Sequence, residues 1–436
     1  MKKIILAAIT STLLFASPKT SVIFMIGDGM GPAHLSTYRY YHGDNTTTVF
    51  DTLLKGMNST YSLNNTITDS AAAATALATG YKTDNGYIGS AKEDTEQTKS
   101  VLEFAKTQGY FTAMAVTSTL THATPAAFLS HGHHRDQEAI IAKDFFAKTN
   151  DGQLKFDFLM GGGEKYFNAG FTDFNQTARE NNIDIYRKGY DIDTIMKYPF
   201  IAFTAYDYPA FAIDEKGQQR YRVAKMTKKS LELLEGKPFF LMVEGSQIDW
   251  CAHLNDIACT MAEIEDFAKA VSIAKNYVDK HPQTLLIVTA DHSTGGLAIG
   301  KKIKKDNKSL SEEEKSKSYL WHKEVIQKIK ASSIAIAKAL KKSADINHTF
   351  KTYTDITLTE KEYREIQQSL FSTKMKTVWN TVNSIVNTRS NTGWTSHGHT
   401  AVDVETFAYG KGSDKFSGYM DNTDIAKKIF EILSGK

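Results

Sequence analysis

Four short stretches of the chain are apolar at nearly every position instead of at alternate ones: Val22 to Ile26, Tyr110 to Val116, Pro238 to Val243 and Thr284 to Ala290. Continuous β-rich runs of this kind predict strands buried on both faces, as in a parallel sheet covered by helices on either side. A shorter run, Phe156 to Met160, ends in Gly161-Gly162-Gly163 and reads as a further strand and turn, and Thr406 to Gly410 adds another apolar stretch near the end. Helical patterns lie between them: Ser100 to Gln108 closed by Gly109, Arg220 to Leu234 stopped by Gly236, and Asp424 to Leu433 at the end. The stretch from Gly163 to about Gly217 is polar and less periodic. This order predicts an α/β fold: a three-layer α/β/α sandwich around a large, mostly parallel sheet.

From about residue 300 to 391 the texture changes to lysine-rich helices, such as Lys323 to Lys341 and Thr359 to Leu370, with no buried-strand runs. We read this as a helical insertion into a single domain spanning residues 17–436. The charged run Lys301 to Lys317 within it reads as a solvated face.

The first sixteen residues combine a basic start at Lys2-Lys3, an apolar stretch of about a dozen residues and a small residue, Ala16, at a cleavage position, the pattern of a secretory leader. The stretch is short for a membrane span. It contains no cysteine, so a lipoprotein anchor is unsupported, and the expectation is a periplasmic or secreted protein with no membrane anchor. The formal charge of +3, two of which are Lys2 and Lys3, gives no sequence-wide attraction for nucleic acid. Cys251 and Cys259 stand eight apart in a stretch that reads as one helix. At ~1.5 Å of rise per residue their Cα atoms would lie about 12 Å apart, out of reach of a disulfide, so they read as two separate buried thiols.

Polar chemistry collects where the buried runs end. Val22 to Ile26 leads into Gly27-Asp28-Gly29-Met30-Gly31, and Tyr110 to Val116 is followed by Thr121-His122-Ala123-Thr124-Pro125. Pro238 to Val243 leads into Glu244 and then Asp249 and His253, four apart as on one helical face, and Thr284 to Ala290 ends in Asp291-His292. In open α/β sheets, ligands bind at the carboxyl ends of the strands. Thr68-Asp69-Ser70 stands at the entrance of an alanine-rich helix whose free amides suit a phosphate, which makes Ser70 the candidate nucleophile. Arg135 offers a planar fork for two phosphate oxygens, while His131, His133 and His134 beside it read as solvated or supporting groups. After the insertion, His397 and His399 arrive on glycine-linked chain. Asp and His together suit zinc, whereas Asp, Glu and a threonine oxygen suit a harder ion such as magnesium. The set implies two Zn2+ and one Mg2+.

Six motifs in series carry a resemblance: Gly-Asp-Gly-Met-Gly at 27–31, Thr-Asp-Ser-Ala at 68–71, Thr-His-Ala-Thr-Pro-Ala at 121–126, Glu-Gly-Ser-Gln-Ile-Asp-Trp at 244–250 with His253, Asp-His-Ser-Thr-Gly-Gly at 291–296, and Gly-His-Thr at 398–400. In sequence and order these resemble the alkaline phosphatase family, in texture the marine and cold-active bacterial members with a large inserted loop. The resemblance implies a first zinc held by Asp249, His253 and His399, and a second held by Asp28, Asp291 and His292 with Ser70 joining it. It implies magnesium on Asp28, Thr124 and Glu244, and Arg135 clamping the phosphoryl group. His122 and Trp250 then occupy supporting positions where better-studied members carry an acid and a lysine. His397 rivals His399, and the family pattern of histidine directly before threonine selects His399.

The activity this resemblance implies is hydrolysis of small phosphate monoesters through a phosphoserine on Ser70, in a homodimer as among relatives. Zinc coordination would supply the serine alkoxide near neutral pH. Runners-up are a phosphodiesterase of the same superfamily and a non-catalytic phosphate or zinc binder. A sulfatase is disfavoured because Ser70-Ala-Ala-Ala-Ala lacks the Cys/Ser-x-Pro-x-Arg context that formylglycine formation needs.

Overall fold

The structure is a computed structural model that describes residues 19–90, 98–215, 222–300, 311 and 319–435. The leader and most of the charged run Lys301 to Lys317 lie outside the described residues. Ten strands form the main sheet: β1 (Ser21–Gly27), β2 (Leu54–Ser59), β3 (Phe111–Thr119), β4 (Phe158–Gly162), β5 (Asp184–Tyr186), β6 (Phe200–Phe203), β7 (Phe239–Gly245), β8 (Thr284–Thr289), β9 (Val404–Gly410) and β10 (Gly418–Asp421). Their spatial order is β10-β2-β9-β8-β1-β7-β3-β4-β6-β5. Seven neighbours from β8 to β5 run parallel. Only β9 runs against the rest, pairing antiparallel with β8 and β2, while β10 pairs parallel with β2.

The continuous apolar runs are explained by burial on both faces. Along β1, Val22, Phe24 and Ile26 enter one core with the Ser70 helix (Ser70–Thr79) and the C-terminal helix (Asn422–Leu433). Ile23 and Met25 enter the other core, with the long helix Ile257–Lys280 and the helix Val223–Leu233. β7 and β8 alternate in the same way. Successive side chains of a strand point to opposite faces, so a central strand covered twice must be apolar throughout. The expected three-layer sandwich is what forms.

Several elements differ from the sequence expectation. The polar stretch after Gly163 folds into helices Glu164–Gly170 and Phe174–Glu180 and supplies β5 and β6. These strands have three and four residues, too short to show a period. The edge strand β10 and its neighbour β2 are likewise unmarked by any buried run. Lys323 to Lys341 divides into Lys323–Gln327 and Ser333–Lys342, because the Ser332 side chain accepts from the amide of Ala335 and starts a new helix. The helix predicted from Arg220 is described from Val223 with Arg222 as its N-cap residue.

The two cysteines are the clearest correction: Cys251 and Cys259 form a disulfide with their Cα atoms 5.5 Å apart. The helix Gln247–His253 ends, Asn255 takes a left-handed conformation (φ 55°), and Asp256 caps the next helix by accepting from the amide of Cys259. The chain therefore reverses where a continuous helix would have kept the sulfurs apart.

Residues 331–385 carry a small core of their own, built on Ile336, Leu340, Phe350, Ile366, Val378 and Val382. The chain leaves the sheet domain at Leu297–Ile299 and returns at Thr392–Trp394, and these two segments pair antiparallel with Ile299 opposite Thr392. Among the described residues, no helix is long and apolar enough to cross a membrane.

Candidate active site

Because β1, β3, β7 and β8 are parallel, their carboxyl ends share one edge of the sheet. Asp28 follows β1, Thr124 follows β3, Glu244 sits at the end of β7, and Asp291 and His292 follow β8. Asp249 and His253 lie one turn apart on the helix Gln247–His253 that β7 feeds. His399 is delivered by a different device: the pair Ser293–Thr294 and His399–Thr400 forms an antiparallel bridge with Thr294 opposite His399. Gly29 (φ 69°) lets the backbone pass so close to Asp249 that a Cβ there would stand 2.8 Å from its Oδ1.

These residues fall into three donor groups, each with ligand atoms within 4.8 Å of one another: Asp249, His253 and His399; Asp28, Asp291 and His292; and Asp28, His122 and Glu244. Asp28 belongs to two of them. In the first group the Nε2 atoms of His253 and His399 are 3.2 Å apart, and His253 Nε2 is 3.2 Å from Asp249 Oδ2. In the second, His292 Nε2 is 3.2 Å from Asp291 Oδ2 and 3.4 Å from Asp28 Oδ1. The opposite ring nitrogens are occupied elsewhere. His399 Nδ1 donates to the carbonyl of Thr68 at 2.8 Å, His253 Nδ1 to the carbonyl of His397, and His292 Nδ1 is 3.2 Å from Thr294 Oγ1. Each ring is thus oriented with Nε2 toward the carboxylates, the arrangement of a metal-binding imidazole. His397 faces away, its Nδ1 bonded to the carbonyl of His253.

The donor set fits cations. Both oxygens of Asp28, Oδ2 of Asp291, Oε1 of Glu244 and Oγ1 of Thr124 are buried without a hydrogen-bond partner. Burying carboxylate oxygens unpaired is costly, and a bound cation removes that cost. The same frustration appears in the proton affinities of the bare side chains. Burial, then the charges of Asp291, Asp249 and Glu244, hold Asp28 well above the carboxylate range. Burial pushes Glu244 up to about 8, and burial with the charge of Asp249 pushes Asp291 to about 7. Burial and the neighbouring His399 drive His292 well below its ordinary value. Asp249 behaves oppositely: burial would raise it, but the hydrogen bond and charge of His253 hold it well below the carboxylate range, and in return His253 rises to about 9.

Ser70 Oγ lies 3.1 Å from His292 Nε2, at the edge of the second group. Asp69 fixes its helix by accepting from the amide of Ala72 at 3.0 Å, and the other oxygen of Asp69 accepts from Gly86 N at 2.9 Å and from Arg135 Nη1 at 3.1 Å. Ser70, the first helix amides and the Arg135 guanidinium are therefore organised by one carboxylate. Arg135 Nη2 is also 3.4 Å from His122 Nε2. The His122 ring packs edge-on to Trp250 at 5.7 Å, and Trp250 packs on Tyr208 at 4.9 Å. His122, read from sequence as a supporting residue, stands within the third donor group itself; its place directly before the Thr124 turn was the available signal. His131 and His133 are tied to Glu103 and Asp144, and His134 lies near Asp136, apart from the three donor groups.

A mostly parallel sheet whose loops gather acids and histidines around a serine has the layout of a metal-dependent hydrolase. Comparison with known proteins agrees: the alkaline phosphatase family model matches residues 19–191 and 203–434, and the chain belongs to that family. It is 37% identical over 431 residues to Alkaline phosphatase 3 of Bacillus subtilis (strain 168), covering 95% of this chain and 88% of that protein. Among solved structures, the cold-active alkaline phosphatase of the psychrophile Shewanella sp. superposes with a TM-score of 0.85 at 36% identity, covering 95% of this chain and 99% of that one. A variant of TAB5 alkaline phosphatase with Mg bound in the M3 site superposes with a TM-score of 0.69 at 27% identity, covering 95% and 99%.

Proposed function

We propose that the protein hydrolyses small phosphate monoesters with Ser70 as nucleophile, and that the three donor groups hold two Zn2+ and one Mg2+. The observation that carries this reading is the position of Ser70 Oγ, 3.1 Å from His292 Nε2 at a helix N-terminus whose capping carboxylate also holds Arg135. Asp249-His253-His399, with two imidazoles, and Asp28-Asp291-His292, with one imidazole and two carboxylates, suit zinc, and Asp28 and Glu244 with the nearby Thr124 oxygen suit magnesium, with His122 an added nitrogen donor. When bound, these cations supply Lewis-acid stabilisation of the serine alkoxide and of the departing alcohol.

The protein's own groups do the rest. Ser70 Oγ attacks phosphorus in line, and a phosphoserine forms as the ester oxygen leaves. Arg135 and the first amides of the Ser70 helix hold the equatorial oxygens. Hydrolysis of the phosphoserine returns Ser70. Recognition centres on the phosphate, so the specificity for the alcohol is broad.

The expected location is outside the cytoplasm. The leader pattern supports this, and the Cys251–Cys259 disulfide supports it independently, since such bonds persist in oxidising compartments. A homodimer is the expected assembly. The substrate reading is tested by comparing p-nitrophenyl phosphate with bis(p-nitrophenyl) phosphate. A monoester rate exceeding the diester rate by orders of magnitude is expected, and the reverse order would overturn it.

A further inference from the structure

The three donor groups are not built equally. Asp28, Glu244, Asp291 and His292 stand at or next to the ends of central strands and are wholly buried. Asp249 and His253 stand instead on a helix of seven residues, a length that is marginal alone, and the His253 side chain is 37% exposed. Something else has to hold that helix.

Cys251 lies midway between the two donors, on the opposite helical face, fully buried and bonded to Cys259. Cys259 belongs to the first turn of the 24-residue helix Ile257–Lys280. The disulfide thus ties the back of the donor helix to an element packed along the sheet. The turn it closes is held by the amide of Asp256 on the carbonyl of Cys251 at 3.0 Å and of Asn255 on Ala252 at 2.9 Å. Its outer side is gripped by the helical segment 331–390. Asn383 Nδ2 donates to the carbonyl of Leu254 at 2.8 Å, Asn387 Nδ2 to that of Asn255 at 2.9 Å, and the amide of Ser333 to Asp256 Oδ2 at 2.6 Å. The helix Met375–Ser390 that carries both asparagines then runs into the strand Thr392–Trp394 and on to His399, the third donor.

We propose that the Cys251–Cys259 disulfide, together with Asn383 and Asn387, is a brace that positions Asp249 and His253, and that bracing this one cation group is a role of the lysine-rich helical segment. The inference rests on reading Asp249, His253 and His399 as a metal site. It makes Cys251, Cys259, Asn383 and Asn387 positioning residues that touch neither substrate nor cation, and it requires their loss to loosen one of the three groups selectively.

The test is the release of zinc from the zinc-loaded protein to the chromogenic chelator 4-(2-pyridylazo)resorcinol, with total zinc counted by atomic emission. Cys251→Ala/Cys259→Ala is expected to release one equivalent roughly tenfold or more faster than the unsubstituted protein, the range for supporting contacts around a metal, with the remaining equivalents unchanged. Asn387→Ala is expected to shift the same equivalent by less. Equal release from all three proteins, or acceleration of every equivalent together, would overturn the brace. Thermal melts of the metal-free proteins show whether the cysteine variant folds; if it does not, Asn387→Ala decides by the same criterion. Unsubstituted protein that holds no zinc would instead overturn the reading of the donor group as a metal site.

Discussion

Arg135 donates from Nη1 to Asp69 Oδ2 at 3.1 Å, and the same carboxylate caps the helix that begins with Ser70. Removing Asp69 should therefore have two separable effects. Loss of the N-cap costs about 0.5–2 kcal/mol of stability. Release of Arg135, whose side chain is already 26% exposed, lets it sample other rotamers and weakens phosphate binding. Asp69→Ala is expected to lower the melting temperature and to raise the inhibition constant for inorganic phosphate. An unchanged inhibition constant would show that Arg135 is oriented without Asp69.

Stripping the metals should make stability fall as pH rises through neutrality. Glu244 and Asp291, raised to about 8 and about 7, bind protons in the folded metal-free protein that the unfolded chain gives up near pH 4, so their stabilising contribution disappears as pH climbs to about 8. His253, raised to about 9, acts in the same direction above its unfolded value of about 6.5. Below that value His122 and His34, held by burial near about 3 and about 4, oppose the trend because unfolding lets them take up protons. The clean window runs from about pH 6.5 to about pH 8 on the basis of these values. Melting temperatures of EDTA-dialysed protein are expected to drop across it, while protein reloaded with zinc and magnesium, whose cations replace those protons, keeps or gains stability. A metal-free protein that grows more stable over this range would contradict the account.

Arg222 is wholly buried and donates to Asp266 at 3.0 Å, to Glu263 and to Gln247 Oε1 at 3.0 Å, which ties the helix Val223–Leu233 to the long helix and to the start of the donor helix. Replacing it with methionine leaves two buried carboxylates without their cation, a loss of about 3–5 kcal/mol. The denaturation midpoint of Arg222→Met should fall accordingly. A change under about 1 kcal/mol would mean that the carboxylates simply protonate.

The parts of the site that were legible in the sequence are those whose position follows from a strand end. Asp28, Glu244, Asp291 and His292 each come at or directly after a run buried on both faces, and parallel strands bring such ends to one edge without further information. His399 was different. Its place depends on the bridge to Thr294, a pairing across more than a hundred residues that no local period announces, and motif resemblance alone selected it over His397. The Cys251–Cys259 link was misread because the helical pattern continues across it. The break lies in Asn255 and Asp256, an asparagine in the left-handed region followed by an N-cap aspartate, and that pair was the available signal. The short outer strands β6 and β5 owe their conformation to pairing in register, β6 with β4, as at Phe158 opposite Phe200, and β5 with β6, as at Asp184 opposite Phe200, so tertiary context fixes what composition leaves open.

The central claim is that Ser70 is the nucleophile. Acid-quenching the enzyme during turnover of p-nitrophenyl phosphate and mapping the phosphorylated peptide tests it most directly. The account predicts phosphoserine at Ser70, no trapped phosphoenzyme in Ser70→Ala, and a turnover in that variant lower by several orders of magnitude. Trapped phosphate on another residue, or near-normal turnover by Ser70→Ala, would contradict it.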